Sequence, residues 1–388
     1  MTTHRSLASL GASRWRALAG DDDFYLSPAW LRTVEDDFTT AFVTLERDGA
    51  DTAGAVACRV PSGALVHHCP PRMLLDSEVW RDLESLLDET ERSQARRLRA
   101  TVAATGVLER PSTVCGIPFA FVSSLCGAAG EAADVLDDGL RATAAEWGTG
   151  STAYLYVTEE QVKAVDAPLT ARGYVRSLLM PACSMPVTWR DFDGYLAGLS
   201  GKRRRHVRKE LAAVGGATTD WLEGDRILPH LDRMAELSAA LMRRYGYDAT
   251  PAAERPVLER LVEGLHDNVR VTLVHMEGRT VAFGLFYLQG ETLYASMSGQ
   301  DYSVPGAHFT AAFYEPVRRV PGMGVTSIHY GPDGYETKVG RGCRLVPSWG
   351  YFDFGDAARP HLRALASLHD RARSRQTGRY AARNAGTG

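Results

Sequence analysis

The stretch that decides the fold runs from Asn268 to Leu288 and reads NVRVTLVHMEGRTVAFGLFYL. Two apolar segments flank the polar pair Glu277-Gly278, which is the pattern of two strands joined by a tight turn. Residues 41–60, AFVTLERDGADTAGAVACRV, have the same pattern around Asp48-Gly49. Val43-Thr44-Leu45 of the first stretch is echoed by Val271-Thr272-Leu273 of the second. Matching hairpins in the two halves of a chain predict two copies of one fold.

Helical and strand patterns surround both hairpins in a similar order. Ser27 is a good N-cap and Pro28 suits a first helical turn, so a helix is predicted to begin there. The predicted helices are 24–38, 76–108, 130–147, 161–173, 226–245 and 308–320, and the further strands are 153–157, 293–298, 326–330 and 345–354. Strands that alternate with helices predict an α/β (α+β) fold in which mixed sheets are flanked by helices.

The length of 388 residues favours two domains and a tail. We predict an N-terminal domain over 1–185 and a C-terminal, catalytic domain over 186–356. Residues 357–388 form a basic tail, with seven arginines and one acid from Arg359 onwards. The tail is expected to begin as a helix and to end disordered, where it increases solubility; RNA binding is the alternative.

Composition excludes several classes of protein. The formal net charge is −3, so no global field attracts DNA or RNA, and any phosphate must meet a local basic patch. The six cysteines include no CxxC pair, which is typical of reduced thiols. Because the N-terminal residues lack a signal-peptide pattern and no long apolar stretch occurs, we expect a soluble, cytoplasmic protein that does not contact membrane.

A basic segment, LSGKRRRHVRKEL, extends from Leu199 to Leu211. Its apolar spacing predicts a helix with a basic face, and Ser200 is a plausible N-cap. Basic side chains near a helix start favour bound phosphate. The candidate phosphate ligands are Lys202, Arg204, Arg205 and Arg208. A solvated basic face is the alternative interpretation.

A glycine-rich segment, HYGPDGYETKVGRG, follows a predicted strand at residues 329–342. Such a backbone allows close approach to a ligand. Lys338 could stabilise an oxyanion or a phosphate, and Glu336 could act as a base. The candidate catalytic residues are Tyr335, Glu336 and Lys338, and the candidate binding residues are Tyr330 and Arg341. A surface loop with an ordinary salt bridge is the alternative.

The segment SGQDYSVPGAHF, residues 298–309, links a predicted strand to a helix. In acetyl-CoA enzymes this junction holds a glycine-rich pyrophosphate loop. Gln300 and Gly306 fit that loop, whereas Ser303 and Pro305 interrupt it, which is evidence against ordinary acetyl-CoA binding. Gln300 and Asp301 are candidate substrate ligands.

Histidines give weaker signals. His67-His68-Cys69 has no metal-ligand spacing, so no metal site is expected. His308 and His329 could relay a proton, but isolated histidines are more often structural. No Ser-His-Asp triad is legible.

Taken in order, the three segments resemble the FemAB-like and related GNAT-type acyltransferases. Ser200–Glu210 is similar to their LSxKxRxxIRRE stretch, and Tyr294–Asp301 to their YxxxxGxD strand end. Tyr330–Lys338 is similar to their GxxGxxxK ending, which Arg341-Gly342 follows. The resemblance covers about residues 170–355, and the N-terminal half matches by layout alone.

The resemblance implies a tandem GNAT fold with a cleft between the domains. It also implies that Lys338 lies near the scissile ester and that Arg204 or Arg205 holds acceptor phosphate. This chain lacks the coiled-coil arm of some Fem enzymes, and Tyr335-Glu336 replaces apolar residues before the lysine, so the acceptor stays open.

These observations predict a transferase that forms an amide bond by moving an aminoacyl group from aminoacyl-tRNA to an amine acceptor. The alternative on the same fold is an acyl-CoA-dependent N-acyltransferase that acts on a small molecule or a cell-wall or natural-product precursor. A third possibility is a binding module without chemistry. The aminoacyl-tRNA or acyl-CoA would be a co-substrate, and no tightly bound cofactor is expected.

Overall fold

The computed structural model describes residues 1–62, 72–127 and 131–385. The chain forms two compact units. Unit 1 comprises Met1–Asp21, Tyr25–Ala182 and Val346–Arg383, and unit 2 is formed mainly by Cys183–Leu345, with Asp22–Phe24. Each unit is a mixed sheet with helices on its faces, as the sequence predicts.

The strands are numbered in chain order. They are β1 Thr2–His4, β2 Thr40–Arg47, β3 Ala50–Val60, β4 Ser112–Cys115, β5 Leu125–Cys126, β6 Ser151–Val157, β7 Val175–Leu178, β8 Ala182–Pro186, β9 Thr218–Glu223, β10 Val269–Met276, β11 Arg279–Gln289, β12 Thr292–Gln300, β13 Ser327–His329, β14 Arg344–Val346 and β15 Trp349–Asp353.

The two sheets have the same plan. In the described part of unit 1 the order is β1-β2-β3-β4-β6-β15-β7, with β5 also paired to β3. In unit 2 the order is β9-β10-β11-β12-β13-β8-β14. Each sheet has a parallel pair in the fourth and fifth positions, β4 with β6 and β12 with β13. The matching orders explain the repeated sequence pattern as a duplicated fold.

The sixth strand of each sheet comes from the other half of the sequence. The late strand β15 lies between β6 and β7 in unit 1, whereas β8 lies between β13 and β14 in unit 2. This exchange corrects the predicted division at residues 185 and 356. The predicted boundaries are wrong because they make each domain one continuous segment. The sequence does not show which sheet a short apolar strand such as β15 completes.

Both predicted hairpins form, and their backbones correspond in detail. The turn residues Asp48 and Gly49 have positive φ of 52° and 81°, and Glu277 and Gly278 have 51° and 74°. Turns of this kind match the twist of the paired strands. In each hairpin the register then shifts, after Leu45 in one and after Val274 in the other. When the two hairpins are aligned at their turns, Leu45 corresponds to Val274 and not to Leu273. The sequence match of Val43-Thr44-Leu45 with Val271-Thr272-Leu273 is therefore displaced by one residue.

The helices are likewise numbered in chain order. They are α1 Leu7–Leu10, α2 Ala12–Ala19, α3 Pro28–Asp37, α4 Ser77–Glu84, α5 Glu89–Ala103, α6 Glu131–Glu146, α7 Glu159–Ala171, α8 Phe192–Gly198, α9 Gly201–Ala213, α10 Leu231–Arg244, α11 Pro251–Gly264, α12 Ala307–Phe309, α13 Glu315–Arg319, α14 Tyr335–Gly340 and α15 Arg359–Ala385. Short 3-10 segments cover Phe24–Leu26, Met73–Leu75, Gly224–His230 and Val320–Met323, and a π-helical segment covers Thr310–Tyr314.

Local capping explains where several helices begin. Ser27 caps α3, with Pro28 in its first turn, as predicted. The single helix predicted over 76–108 is two helices, because Asp88 and Glu91 form a capping box that starts α5. The sequence analysis did not predict α11, although Thr250 and Pro251 give a normal start signal. It did not predict β9 either.

The tail, predicted to begin as a helix and to end disordered, is helical from Arg359 to Ala385 as α15. Three leucines of this helix, Leu362, Leu365 and Leu368, are buried in the core of unit 1 together with Trp80 and Phe352. Burial of each such side chain contributes about 1.5–3 kcal/mol to holding the helix against unit 1. Residues 359–385 are therefore an integral helix of unit 1, and the three residues beyond lie outside the described chain.

Close approach at two glycines sets the layers of unit 2. A Cβ on Gly299 would lie 2.4 Å from the backbone of Leu237, which places α10 against one face of the sheet. A Cβ on Gly284 would lie 2.8 Å from the carbonyl oxygen of Ala311, which places the π-helical segment against the other face. Both positions require glycine because backbone atoms occupy the space of a side chain.

The structure bears on two expectations from composition, which concern membrane-spanning helices and the state of the cysteines. In the described residues, no helix combines the length and the apolar character that crossing a membrane requires. The five described cysteines, Cys58, Cys115, Cys126, Cys183 and Cys343, are free and buried.

Candidate active site

Two parallel strands of unit 2 separate after a short pairing, and we call the gap between them the crevice. β12 and β13 pair only as far as Tyr294 with His329. β12 then continues to Gln300, whereas Tyr330 leaves it and hydrogen-bonds through its N–H to the carbonyl of Cys183, at 2.8 Å. In α/β sheets, ligands bind at the carboxyl ends of neighbouring strands that diverge in this way. This crevice is the candidate active site.

A β-bulge lies on β12 at the point of divergence. The register of β12 against β11 shifts after Leu285, which leaves Ser296 as an extra residue. Ser296 is exposed although it lies in the middle of its strand. Bulges bend and twist a strand and are frequent beside active sites. The bulge therefore turns the end of β12 away from β13 and leaves its backbone edge accessible.

Lys338 fixes the end of β13. Its ammonium group donates to three carbonyls, those of Tyr330 at 2.6 Å, Gly331 at 3.3 Å and Pro332 at 2.6 Å. The chain wraps around the ammonium group through Asp333 and Gly334, which both have positive φ, and then enters α14. The three N–H groups of the lysine are thus engaged by the carbonyls of residues 330–332.

Burial lowers the pKa of Lys338 from its usual value, because desolvation disfavours the charged form. An ammonium group that is half-buried among carbonyl oxygens is a preorganised source of positive charge. The 3.3 Å bond to Gly331 is the longest of the three and is the one most readily exchanged for a bond to a ligand oxygen.

Arg341 lies in the interior of unit 2 with 4% of its surface exposed. Its guanidinium group pairs with the carboxylate of Glu210 on the basic helix α9, and it donates to the carbonyl of Thr337 at 2.9 Å. Its face lies 3.7 Å from the ring centre of Phe309. Arg341 thereby joins α14, α9 and α12 into one assembly. Its predicted role in binding substrate would require it to leave these partners.

Tyrosines complete this assembly. The hydroxyl of Tyr314 donates to Glu210 and accepts a hydrogen bond of 3.1 Å from Arg341. Tyr195 donates to the carbonyl of Arg341 at 2.8 Å. Tyr330 stacks on Phe313, with ring centres 4.5 Å apart. The end of β13 is therefore held from both sides, by Lys338 at its carbonyls and by aromatic packing at its side chain.

The basic segment forms α9 as predicted, and Ser200 caps it. Arg204 does not face solvent freely: its guanidinium donates to the carbonyls of Leu196 at 2.9 Å and Leu199 at 3.0 Å. It thus satisfies the carbonyls at the end of α8, a frequent role of basic residues at helix C-termini. Its predicted contact with phosphate would compete with these bonds.

Three other predicted phosphate ligands on α9 are available. Lys202, Arg205 and Arg208 are exposed. In the part of the chain that the structure describes, no carboxylate pairs with any of them. They form a solvated basic face that could meet a polyanion, whereas Arg204 on the same helix is used internally.

At the junction between β12 and α12, a carboxylate of the same segment already occupies hydrogen-bond donors. The carboxylate of Asp301 accepts hydrogen bonds from the N–H and hydroxyl of Ser303, at 2.9 and 2.7 Å. These bonds lower the pKa of Asp301. A Cβ on Gly306 would lie 2.9 Å from the carbonyl oxygen of Glu210, so this glycine packs the junction against α9. Gln300, the last residue of β12, is partly exposed.

The remaining predicted catalytic residues lie in the first turn of α14. Tyr335 is buried and Glu336 is exposed. The structure therefore brings Tyr330, Tyr335, Lys338 and Arg341 into one region of unit 2 and leaves the Glu336 carboxylate at its surface. Their catalytic roles stay predictions.

The two histidines singled out from the sequence are neutral near pH 7. Burial lowers the pKa of His308 and of His329 to about 4, assisted by the charge of Arg341 and of Lys338 respectively. In the described chain, Nδ1 of His308 is buried without a hydrogen-bond partner. Neither histidine is arranged as a protonated acid.

No group of three or more possible metal ligands occurs among the described residues. The segment His67-His68-Cys69, considered from the sequence, lies outside them.

Sequence reasoning missed the feature that defines the crevice, which is the separation of β12 from β13. The only available signal was the series of small residues Ala295, Ser296, Ser298 and Gly299 in an otherwise apolar strand. Small side chains at successive positions leave room for a ligand, but they also occur in ordinary edge strands.

Comparisons with known proteins identify a family and a shared fold. A family model, FemAB_like, described as peptidoglycan biosynthesis/recognition, matches residues 103–382. The structure is similar to that of FemX, with a TM-score of 0.57 and 13% sequence identity, over 90% of this chain and 97% of that one. A conserved protein of unknown function from Bacteroides thetaiotaomicron has a TM-score of 0.52 and 15% identity, over 88% of this chain and 95% of that one.

A tandem GNAT protein from the clavulanic acid biosynthesis pathway has a TM-score of 0.47 and 11% identity, over 84% of this chain and 87% of that one. The likeness to FemX, at its low identity, shows a shared fold. No curated protein sequence matches this one.

Proposed function

The chain belongs to the FemAB-like family of acyl- and aminoacyltransferases, and from this premise we propose that it transfers an aminoacyl group from aminoacyl-tRNA to an amine of a peptidoglycan precursor. The observation that carries the proposal is the crevice between β12 and β13, with a half-buried ammonium group at one side. The cleavage of an activated ester requires little more than positioning and charge stabilisation.

In the proposed reaction, the acceptor nitrogen attacks the carbonyl carbon of the aminoacyl ester. The new C–N bond forms, the C–O bond to the ribose breaks, and the proton lost by the amine passes to the ribose oxygen. Negative charge develops on the carbonyl oxygen in the transition state. Lys338 is the group that we assign to this charge, through the N–H that now makes the 3.3 Å bond to Gly331.

Two features of unit 2 favour a tRNA donor over an acyl-CoA donor. The junction where a pyrophosphate would lie carries the carboxylate of Asp301, which already occupies the N–H of Ser303, and Pro305 has no N–H to offer. In contrast, Lys202, Arg205 and Arg208 present unpaired charge on the adjacent helix, which suits a phosphate backbone.

We propose that the reaction takes place in the cytoplasm. Support comes from the five described cysteines, which are buried and free, the usual state of thiols in a reducing compartment.

Replacement of Lys338 tests the proposed chemistry. Lys338→Ala is expected to lower kcat by about 10²-fold or more, the scale of losing one oxyanion donor. The matched control is Lys163→Ala, which removes an exposed lysine of α7 in unit 1. A melting temperature is measured in parallel, because the lysine also fixes residues 330–332.

If the folded Lys338→Ala protein retained turnover within a few-fold, the assignment would be wrong. A second variant, Lys338→Gln, keeps a hydrogen-bond donor without the charge. It separates the two roles of the residue: restored melting temperature with low kcat supports the catalytic role, and restored kcat contradicts the need for charge.

The donor is tested by incubating the protein with labelled aminoacyl-tRNA or acyl-CoA and following the label into the amide product. Pretreatment with RNase is expected to abolish product formation. Product from acyl-CoA that is insensitive to RNase would favour the alternative donor.

A further inference from the structure

Unit 1 contains a surface cavity of about 700 Å³ that is separate from the crevice of unit 2. It lies between β7, the residues just before it, and one face of α15. Its floor is formed by buried residues, Tyr174, Val175 and Ala366. The volume falls in the range of roughly 300–1,000 Å³ that small-molecule sites occupy.

The lining of this cavity is basic. Four arginines contribute to it: Arg176, Arg363, Arg371 and Arg375. The lining contains one acid, Asp370, whose partly exposed carboxylate accepts hydrogen bonds from the hydroxyl of Ser177 at 2.6 Å and the N–H of Leu178 at 2.8 Å. An anion that enters the cavity therefore meets four guanidinium groups and one carboxylate whose Oδ1 is already engaged.

The arginine charges are only partly compensated. Arg371 and Arg375 share the single carboxylate of Glu91, at 3.2 and 2.7 Å, and Arg176 pairs with Asp166 at 3.0 Å. Arg363 is exposed and has no ion-pair partner in the part of the chain that the structure describes. Four positive charges thus face three carboxylates, those of Glu91, Asp166 and the partly exposed Asp370.

Exchange of the exposed ion pair of Arg176 and Asp166 for a ligand costs little. Exposed ion pairs contribute only about 0.2–1 kcal/mol, because water screens them. A phosphate group accepts paired hydrogen bonds from a guanidinium group and forms stronger, charge-assisted contacts. This pair can therefore open toward a phosphate without a large loss of stability.

We propose that this cavity binds a phosphorylated small molecule of nucleotide size. The arginines on the rim hold its phosphate groups, and the apolar floor accepts its planar or apolar part. The arginines surround one surface depression with a buried floor, and we take this local grouping to favour a small molecule over an RNA strand. This assigns a binding function to the basic helix α15, which the crevice of unit 2 does not explain.

The experiment titrates the full chain with a fluorescent ADP analogue, with inorganic pyrophosphate as competitor. Binding that pyrophosphate displaces is expected for the unaltered protein. Arg363→Ala is expected to weaken it about tenfold, the loss of one charged contact. Arg97→Ala is the matched control, because Arg97 is an exposed, unpaired arginine on α5 of the same unit.

A second variant fills the cavity without a change of charge. Ser367→Trp introduces a large ring at an exposed lining position and is expected to abolish binding while the melting temperature stays unchanged. Failure of the unaltered protein to bind either probe would overturn the proposal. So would binding by Arg363→Ala and Ser367→Trp equal to that of the unaltered protein, or displacement of the analogue by RNA but not by pyrophosphate.

Discussion

The two units share a strand order and a hairpin with the same turn and the same register shift, but they differ at their parallel pair. In unit 2, β12 continues past the end of β13 and an exposed bulge residue, Ser296, lies at the point of separation. In unit 1, every residue of β4 and of β6 is buried. Duplication of a fold therefore does not duplicate its site.

Side-chain hydrogen bonds join the amino ends of the parallel pair of unit 1. The hydroxyl groups of Ser112 and Ser151 lie 2.7 Å apart, and those of Thr113 and Thr149 lie 2.8 Å apart. These bonds join polar groups that would otherwise be buried without partners. Unit 1 thus buries and pairs the polar groups of its parallel strands, whereas unit 2 exposes Ser296 on the corresponding pair.

The largest expected effect comes from breaking the ion pair that supports the open strands of unit 2. Arg341→Met removes the guanidinium group that neutralises the carboxylate of Glu210, which then keeps only Tyr314 and His206 as partners, and is expected to cost about 3–5 kcal/mol of unfolding free energy. Urea denaturation measures the loss. The double variant Arg341→Met with Glu210→Gln also removes the carboxylate charge and is expected to recover part of the stability.

An Arg341→Met protein as stable as the unaltered one would show that unit 2 does not depend on this pair. The comparison with unit 1 would then have to rest on strand geometry alone.

A second test concerns a buried histidine of unit 1. His369 is fully buried on α15, and burial lowers its pKa to about 4. Between pH 6.5 and 4 the unfolded chain binds a proton that the folded chain does not, so the unfolding free energy falls as the pH falls through this window. The expected loss from this residue is about 3 kcal/mol at most, at about 1.4 kcal/mol per pKa unit.

Denaturation curves at several pH values measure this effect. His369→Phe is expected to lessen the pH dependence, to which His308 and His329 also contribute, whereas the same change at His361, exposed on the same helix, is expected to leave it intact. Equal curves for both variants would contradict the assignment.

The smallest effect is expected at the parallel strands β4 and β6 of unit 1. Ser112→Ala removes one buried hydrogen bond and is expected to cost about 1 kcal/mol without an effect on turnover. The double variant with Ser151→Ala is expected to cost little more than the single one. A large loss of turnover in either variant would place the site in unit 1 and reverse the comparison.

Sequence reasoning reached the hairpins, most helices and the residues around Lys338, because these have local signals. Turn residues such as Asp48-Gly49 and caps such as Ser27 and Ser200 act within a few residues of their position. Glycines, a lysine and a preceding strand similarly marked residues 329–342 as a site candidate.

The pairing of strands that are distant in the chain has no such local signal in the sequence. The membership of β15 in unit 1 and the separation of β12 from β13 depend on neighbours far away in the chain. The internal engagement of Arg204 and Arg341 was equally invisible, because an arginine in a basic run looks the same whether it binds phosphate or its own backbone. The tail was misjudged because its many arginines hid the buried leucines between them.

The placement of β15 between β6 and β7 also determines when unit 1 can finish folding. During synthesis, the ribosome releases β6 and β7 long before residues 349–353 emerge, so both strands wait with open edges while the rest of the chain is made. Exposed strand edges are sites of aggregation. A nascent chain of this protein therefore depends on its final segment to complete its first domain, and truncations near the carboxyl terminus should damage the amino-terminal fold before they reach the crevice.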